Sequence, residues 1–498
     1  MEALLLGVYA ALLLVAVVWI WLAPHHAVWL LLVLLPLHTL AMTLVFHAVH
    51  PSRLVMGLFQ GWKDVLLAVG LLRVATSRGA WSGLRLHPVD VGVALLAALA
   101  LASIPFHSQL GLMSQLLALR DNFVFIPLYV LGRLMQTSES SGQRTVLLIA
   151  GVVGAVVLLG IVERFLDPLQ ALVAIELPRY LDVNFHLRFP SYGGLPYSFF
   201  QANFARRIGS VFLDPVELAE SGALAVAAAA GLLMAKDGRR RLGLAALIAG
   251  VVAPVLAAGR FELLITPVLL ATVALAIRRL SPAVVGLSVL AVLYAAFSFT
   301  FYSWPYRGPG ANPPPAGSTL SGAPPGQGNP TVSNVLPGPL DASLQSHFTG
   351  IRQALRDAVQ YPLGQGLGTA GLNGARSQGT GIAEGQVLVT VHSLGDPGIL
   401  LLVAVLLGGI VVTWRRSRAP SGADGLTFLA LVLFVAILLT LPVAEILANT
   451  LLMTAAFWSL GQIIRSPSRA NAGDRSQTTG QTGRNTPPRA APTLARPS

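Results

Sequence analysis

The chain has 498 residues, of which 54% are hydrophobic and only 11% are charged. Soluble domains ordinarily carry about 25% charged residues, so the composition excludes most soluble enzyme classes and predicts an integral membrane protein. The sequence has no cysteine, which excludes disulfides, zinc–thiolate sites and thiol nucleophiles. The net charge is +12, but the basic residues are scattered between apolar segments. This pattern favours topology signals over nucleic-acid binding.

Apolar segments predict an all-α protein that crosses the membrane repeatedly. A span needs roughly 20 mostly apolar residues. The first segment has no small-residue cleavage site after it, so we expect a retained span and not a cleaved signal peptide. The count is twelve or thirteen, and the side of the N-terminus depends on it. The candidate spans are 3–22, 28–46, 54–72, 88–105, 112–134, 145–166, 211–235, 241–259, 261–278, 282–302, 394–414, 425–441 and 443–464.

Arginine clusters between the spans predict the orientation. Five clusters alternate consistently, and we expect all of them on the cytoplasmic side. They are Arg73/Arg78/Arg85, Arg133/Arg144, Lys236/Arg239/Arg240/Arg241, Arg278/Arg279 and Arg415/Arg416/Arg418. The tail 465–498 is basic, polar and nearly free of apolar residues, so we expect it to be cytoplasmic and disordered.

The predicted organisation has six parts. They are N-terminal spans in 1–166, a first outer loop in 167–210, central spans in 211–302, a large outer loop in 303–393, C-terminal spans in 394–464, and the tail 465–498. Within the large loop, 305–339 is rich in Pro and Gly and is predicted to be flexible. Residues 346–361 have helical periodicity, with Phe348, Ile351, Leu355 and Val359 on one stripe. Pro362 ends this amphipathic segment before a glycine-rich turn, which indicates a site at the outer membrane surface.

Arginines on the predicted outer side suggest an anion site. Arg206 and Arg207 precede one span, and Arg260 lies between two apolar segments where orientation does not require a cation. Arg352 and Arg356 are four residues apart and share a helix face. The guanidinium fork suits phosphate oxygens, so a diphosphate at the lipid boundary is one interpretation. Interfacial anchoring, local pairing or a solvated helix face are the alternatives.

Other ionisable residues carry weaker signals. The neighbours Lys63-Asp64 and Arg120-Asp121 fall inside predicted spans and are interpreted as packing ion pairs. His347 and His392 lie in the large outer loop, where each suits either acid–base work or a structural role. The sequence has no phosphate-binding loop ending in Gly-Lys-Ser/Thr and no dense carboxylate cluster for a metal. We therefore expect no metal and no cofactor.

Four ordered motifs resemble the superfamily of bacterial O-antigen ligases and O-antigen or exopolysaccharide polymerases. The order and spacing of these motifs, and the late large outer loop, are similar over about 200–400. The motifs are Arg207-Ile208-Gly209 with Phe212, Pro215 and Glu217; Gly259-Arg260; Pro362-Leu363-Gly364-Gln365-Gly366-Leu367-Gly368; and Glu384 to Gly398.

The last motif departs from the ligase pattern. Ligases of the family resemble one another in His-[Asn/Ser/Gln], nine residues, then Gly-x-x-Gly. When Gly395 and Gly398 take the glycine positions, Glu384 takes the position of the histidine. A carboxylate there is more similar to the polymerase branch, and a glutamate can serve as a general base towards an acceptor hydroxyl. An orienting or helix-capping carboxylate is the alternative.

The resemblance implies a fold and an activity. The fold would be an all-helical, multi-spanning glycosyltransferase of the GT-C-like type, independent of metal, in the bacterial inner membrane. The activity would be transfer of a glycan from a polyprenyl-diphosphate carrier to a glycan acceptor at the outer face. Arg207, Arg260, Arg352 and Arg356 would hold the diphosphate, with Glu384 as the catalytic base. Membrane lipids and other polysaccharide-assembly proteins are the further partners that it implies.

Two alternative functions stay open. An O-antigen ligase would transfer the glycan to a lipid or protein acceptor. A lipid-glycan transporter or flippase would explain the charges inside the predicted spans. Transporters usually contain two similar halves, and this sequence has no evident repeat.

Overall fold

The fold is described from a computed structural model for residues 2–77, 79–82, 84–106, 110–135, 139–166, 168–185, 207–234, 239–277, 342–371, 385–419, 424–465 and a few isolated positions. The α-helices of this part of the chain are α1 (Glu2–Leu22), α2 (His25–Leu34), α3 (His38–Val49), α4 (Arg53–Gln60), α5 (Trp62–Ala75), α6 (Pro88–Phe106), α7 (Leu112–Phe123), α8 (Phe125–Leu134), α9 (Glu139–Phe165), α10 (Pro168–Ala174), α11 (Leu177–Phe185), α12 (Pro215–Leu233), α13 (Arg240–Leu256), α14 (Arg260–Ile277), α15 (Ala342–Gln360), α16 (Gln386–Ser417), α17 (Gly425–Thr440) and α18 (Thr450–Arg465).

The helices confirm a multi-pass helical membrane protein as the fold class. Within the described residues there is no strand, and six helical stretches are long and apolar enough to cross a membrane. The stretches are Glu2–Leu22, His25–Val49, Pro88–Pro105, Ser140–Phe165, Pro215–Leu233 and Gln386–Ser417. The pair α4–α5, bent by 42°, adds a seventh if it is counted as one span. The total of twelve or thirteen spans stays a prediction.

Several predicted spans differ in detail from the helices. The segment 112–134 forms two helices, and the segment 28–46 is divided between α2 and α3 by a 3₁₀ turn at Leu35–Leu37. Pro36 lies in that turn, where its missing N–H removes a helical hydrogen bond. The predicted outer loop 303–393 overlaps α16, which begins at Gln386. The segment 282–302, the stretch 305–339 and the tail after Arg465 lie outside the described residues, apart from isolated positions.

Small residues allow α12 to occupy the centre of the bundle. Nearly every side chain from Leu218 to Leu232 is buried, in contrast to the largely exposed α1. A Cβ on Gly222 would lie 2.8 Å from the Gly250 carbonyl oxygen, and one on Gly231 would lie 2.6 Å from that of Gly425. Glycine at these crossings lets backbones approach closely, which is how membrane helices commonly pack.

One end of the bundle gathers arginines, and we call it the arginine end. The Arg133 guanidinium donates to both carboxylate oxygens of Asp90, at 2.7 and 2.8 Å. Further arginines donate to backbone carbonyls at helix ends or in the turn after α5: Arg73 to Trp21, Arg465 to Ala80, Arg133 and Leu134, and Arg416 to Ile463. The C-terminal ends of α1, α5, α8, α16 and α18 therefore lie on the same side.

The opposite end of the bundle contains a broken helix. Gly395 interrupts α16 with φ 66° and ψ −163°, a backbone conformation that is essentially restricted to glycine. Three hydrogen bonds join the turn after α15 to the break. Gln365 N donates to His392 O (2.6 Å), Gly366 N donates to Ser393 O (3.1 Å), and Asp396 N on α16 donates to Pro362 O in the turn (2.9 Å). The glycine-rich turn thus replaces the missing helical bonds and attaches α15 to α16.

Candidate functional site

The structure places Arg207 beside the α13–α14 turn, which ends at Arg260. The Arg207 Nε donates to the Ala257 carbonyl oxygen at 2.7 Å, and the next residue, Ile208, donates its N–H to Leu256 O at 3.2 Å. Ala258 has φ +49°, so the chain reverses sharply before α14 begins at Arg260. The structure therefore brings Arg207 to the turn that ends at Arg260, on the end of the bundle opposite the arginine end.

The segment after Arg207 is a tight turn that joins three helices. A Cβ on Gly209 would lie 2.8 Å from Asp214 N, so the close approach requires glycine. The Ser210 N–H donates to the Glu163 carboxylate at 2.6 Å, and the Ser210 hydroxyl donates to Val156 O at 2.7 Å, both on α9. Asp214 caps α12 by accepting the Val216 N–H at 2.9 Å. The close approach at Gly209 and the cap at Asp214 explain why the Arg-x-Gly pattern precedes α12.

Charged side chains from separate helices converge at this end of the bundle. The Arg120 Nε lies 3.1 Å from Asp64 Oδ2 and 3.9 Å from Asp121 Oδ1, so its nearer partner is on α5 and not the neighbouring Asp121. The charges of Lys63 and Glu217 are close enough to interact. The two charge pairs interpreted separately from the sequence thus belong to one cluster between α5, α7 and α12.

A second carboxylate of α12 extends the cluster towards the C-terminal helices. Glu220 is buried, and its Oε2 accepts a hydrogen bond from Asn449 Nδ2 at 2.5 Å. Asn449 precedes α18, in the same connection as Glu445. A Cβ on Gly371 would lie 2.7 Å from Glu445 Oε1. The loop after α15 therefore lies against the connection that also contacts α12.

Asp357 and His392 form a pair across the junction of α15 and α16. The distance from His392 Nδ1 to Asp357 Oδ2 is 2.8 Å, and Asp357 Oδ1 accepts from Gln353 Nε2 at 2.8 Å. The side chain of Asp357 is 3% exposed, and that of His392 is 20% exposed. A carboxylate accepts the Nδ1 proton, which leaves Nε2 with the lone pair in a neutral imidazole. The pair can therefore orient a proton acceptor.

The structure does not bring the remaining predicted site residues to the Arg207 turn within its described part. Arg352 and Arg356 are exposed on the side of α15 that faces away from Asp357. The backbone of His347 belongs to α15, but its side chain lies outside the described part. Glu384 also lies outside the described residues, and α16 begins directly after Gly385. The roles proposed for these four residues stay predictions.

The sequence analysis did not identify Asp357 as a candidate site residue. It is the single carboxylate between Ala342 and Gln360. At 100° per residue it lies about 100° around the helix from Arg356 and about 140° from Arg352, so it does not share a face with them. The sequence did contain one signal: a carboxylate on the small-residue face of an amphipathic helix, with no cation three or four residues away. Its partner, His392, is 35 residues away in the chain and could not be identified from local spacing.

No group of three or more metal-binding side chains occurs within the described ranges. The sequence matches no protein-family model, and no curated protein is significantly similar to it.

Proposed function

We propose that the protein is a membrane glycosyltransferase that polymerises or transfers a polyprenyl-diphosphate-linked glycan. The observation that carries the proposal is the meeting of Arg207 with the turn that ends at Arg260, at one end of an apolar bundle. Two guanidinium groups at a membrane boundary suit a diphosphate, which presents oxygens to a planar fork. The arginine end would face the cytoplasm, and this turn would then lie at the outer face of a bacterial inner membrane.

The reaction needs a diphosphate clamp and a base. An acceptor hydroxyl oxygen would form a bond to the anomeric carbon while the bond from that carbon to the diphosphate oxygen breaks. The electron pair leaves on the polyprenyl diphosphate, whose charge Arg207 and Arg260 would stabilise. The hydroxyl proton would go to a base, either the Glu384 carboxylate or His392 Nε2, which Asp357 orients. Separate Glu384→Gln and His392→Gln variants distinguish these two bases.

Binding of undecaprenyl diphosphate tests the proposal directly. Purified protein in nanodiscs would be titrated with this lipid and analysed by native mass spectrometry. Hydrogen bonds to charged groups contribute about 1.5–3 kcal/mol, so Arg260→Ala should weaken binding roughly 10- to 150-fold. Arg260→Lys should weaken it less, because the charge stays and the fork is lost. Arg241→Ala, exposed at the first turn of α13, is the matched control and should bind normally.

Two results would contradict this assignment. Equal binding by Arg260→Ala and the wild type would mean that Arg260 is only an anchor. Surface polysaccharide of unchanged chain length and amount in a deletion strain would argue against both polymerase and ligase activity. A ligase would differ from a polymerase in vivo, because its loss leaves polymer made but not attached to its acceptor.

A transporter is the second candidate, and the interruption of α16 at Gly395 favours it. Many transporters bind substrates where spanning helices are broken. Proteoliposomes that contain a lipid-linked oligosaccharide separate the two functions. A transporter would move the lipid between leaflets and leave the glycan unchanged, whereas the transferase would lengthen the glycan and release polyprenyl diphosphate.

A further inference from the structure

The outward face of α15 carries apolar and cationic side chains together. Leu355 and Val359 are 65% and 83% exposed, and Arg352 and Arg356 are exposed on the same side of the helix. Spacings of three and four residues place all four side chains on one stripe. The helix packs on the protein through its other face, where Ala354 is buried. The more apolar stripe of this helix is therefore left without a protein partner among the described residues.

The break at Gly395 shows where α15 lies relative to the spans. From Pro397 to Ser417, α16 continues for about 21 residues, or ~31 Å at 1.5 Å per residue. This length matches the roughly 30 Å hydrocarbon core of a bilayer. Arg415 and Arg416 mark the far end of that stretch. The bond from Asp396 N to Pro362 O then holds the end of α15 at the opposite membrane boundary.

The charge of this face complements anionic headgroups. Within the described residues, neither Arg352 nor Arg356 has a hydrogen bond or an ion pair. Asp357, the single carboxylate of α15, is turned inward to His392. The outward face consequently has two cations and no compensating acid. Interfacial helices that combine Arg with Leu or Val bind bilayers through acyl contact and phosphate attraction together.

Exposed apolar side chains continue from this helix onto the membrane-crossing stretch. Leu363, in the turn after α15, is 68% exposed, and so is Leu400, one turn beyond the break in α16. Leu400 lies on a span, where an exposed leucine faces lipid. Exposed leucines therefore occur on both segments that the bond from Asp396 N to Pro362 O joins, and the one on the span faces lipid.

We propose that α15 lies in the membrane interface, where Leu355 and Val359 enter the acyl boundary and Arg352 and Arg356 bind the phosphates of anionic lipids. The long arginine side chains reach the headgroups while their methylene groups cover apolar surface. The helix anchors the turn that fills the break in α16, so lipid contact would hold this part of the protein against the membrane. In this proposal Arg352 and Arg356 bind lipid phosphates in place of the carrier diphosphate expected from the resemblance, so the inference does not depend on the transferase activity.

The absence of cysteine allows a direct test with spin labels and no background. Single variants Leu355→Cys and Val359→Cys would be labelled in nanodiscs, and their collisions with oxygen and with a water-soluble nickel chelate compared. Leu400→Cys is the lipid reference, and exposed Ser82→Cys is the aqueous reference. Both α15 labels should resemble Leu400→Cys, with oxygen favoured over nickel. Ala354→Cys should be inaccessible to both reagents, which verifies the helical register.

A second arm identifies the lipid chemistry. In phosphatidylglycerol nanodiscs, the combined Arg352→Gln and Arg356→Gln change should lower the immersed population, by roughly five-fold per arginine. In phosphatidylcholine nanodiscs the same change should have little effect. Nickel access to Leu355→Cys and Val359→Cys equal to that at Ser82→Cys in both lipids would overturn the proposal. Low access to both reagents with dipolar broadening between labels would also overturn it, because a second copy of the chain would then cover the face.

Discussion

Gly395→Ala should detach the turn after α15 from the break in α16. Alanine at φ 66° and ψ −163° is strained by about 1–3 kcal/mol, and its Cβ would overlap the Pro362 carbonyl oxygen. The turn must then move, which should break the hydrogen bonds at Gln365, Gly366 and Asp396. Each of these bonds contributes about 0.5–1.5 kcal/mol. Together these effects predict a loss of roughly 3–7 kcal/mol in the free energy of docking.

Hydrogen exchange measures this loss locally. The amides of Gln365 and Gly366 should exchange at least about 100-fold faster in Gly395→Ala than in the wild type, because each 1.4 kcal/mol is tenfold in an opening equilibrium. Gly151→Ala, on α9, is the control, since an added Cβ there meets nothing within 4 Å. Its exchange at the turn should match that of the wild type.

Unchanged protection of Gln365 and Gly366 in Gly395→Ala would refute the reasoning, because the backbone at the break would then not require glycine. Gly364→Ala provides a check from the other side of the contact. Its Cβ would lie 2.6 Å from Gly395 N, and its φ is +80°, so it should have the same effect as Gly395→Ala.

Three further predictions concern the ion pairs. If His392 Nε2 and not Glu384 is the base, His392→Gln should lower glycan transfer by roughly 10²–10⁴-fold with undecaprenyl-diphosphate binding unchanged; a normal transfer rate would exclude His392 as the base. Asp90→Asn leaves the buried Arg133 without its anionic partner and should destabilise the protein by about 3–5 kcal/mol, seen as a lower midpoint in thermal unfolding in detergent. The hydrogen bond from His50 lowers the pKa of Glu176 below its ordinary 4.5, so this contact stabilises the fold above pH 4.5 and is lost as the pH falls through the lowered pKa. Glu176→Gln should remove this acid-dependent part of the unfolding profile, and an unchanged profile would assign it to other carboxylates.

Local apolar segments were sufficient to predict most of the fold class. Segments such as Glu2–Leu22 and Ser140–Phe165 are long and apolar enough that composition alone indicates a span, because lipid requires each segment to satisfy its own backbone bonds. The end of α15 before Pro362 was also predictable from the sequence, because proline ends a helix by a local mechanism. The pairing of Arg120 was not predictable in this way, because its nearest partner, Asp64, is 56 residues away in the chain.

The sequence by itself determined an all-helical membrane protein, an amphipathic helix before a glycine-rich turn, and arginines placed where orientation does not need them. Only the tertiary structure decided that Arg207 lies at the Arg260 turn, that Asp357 pairs with His392, and that α16 breaks at Gly395 to receive another segment. Helical periodicity shows which residues share a face, but it does not show which face is covered. Whether Ala354 or Leu355 packs inward depends on what approaches the helix, and that contact comes from residues distant in the chain.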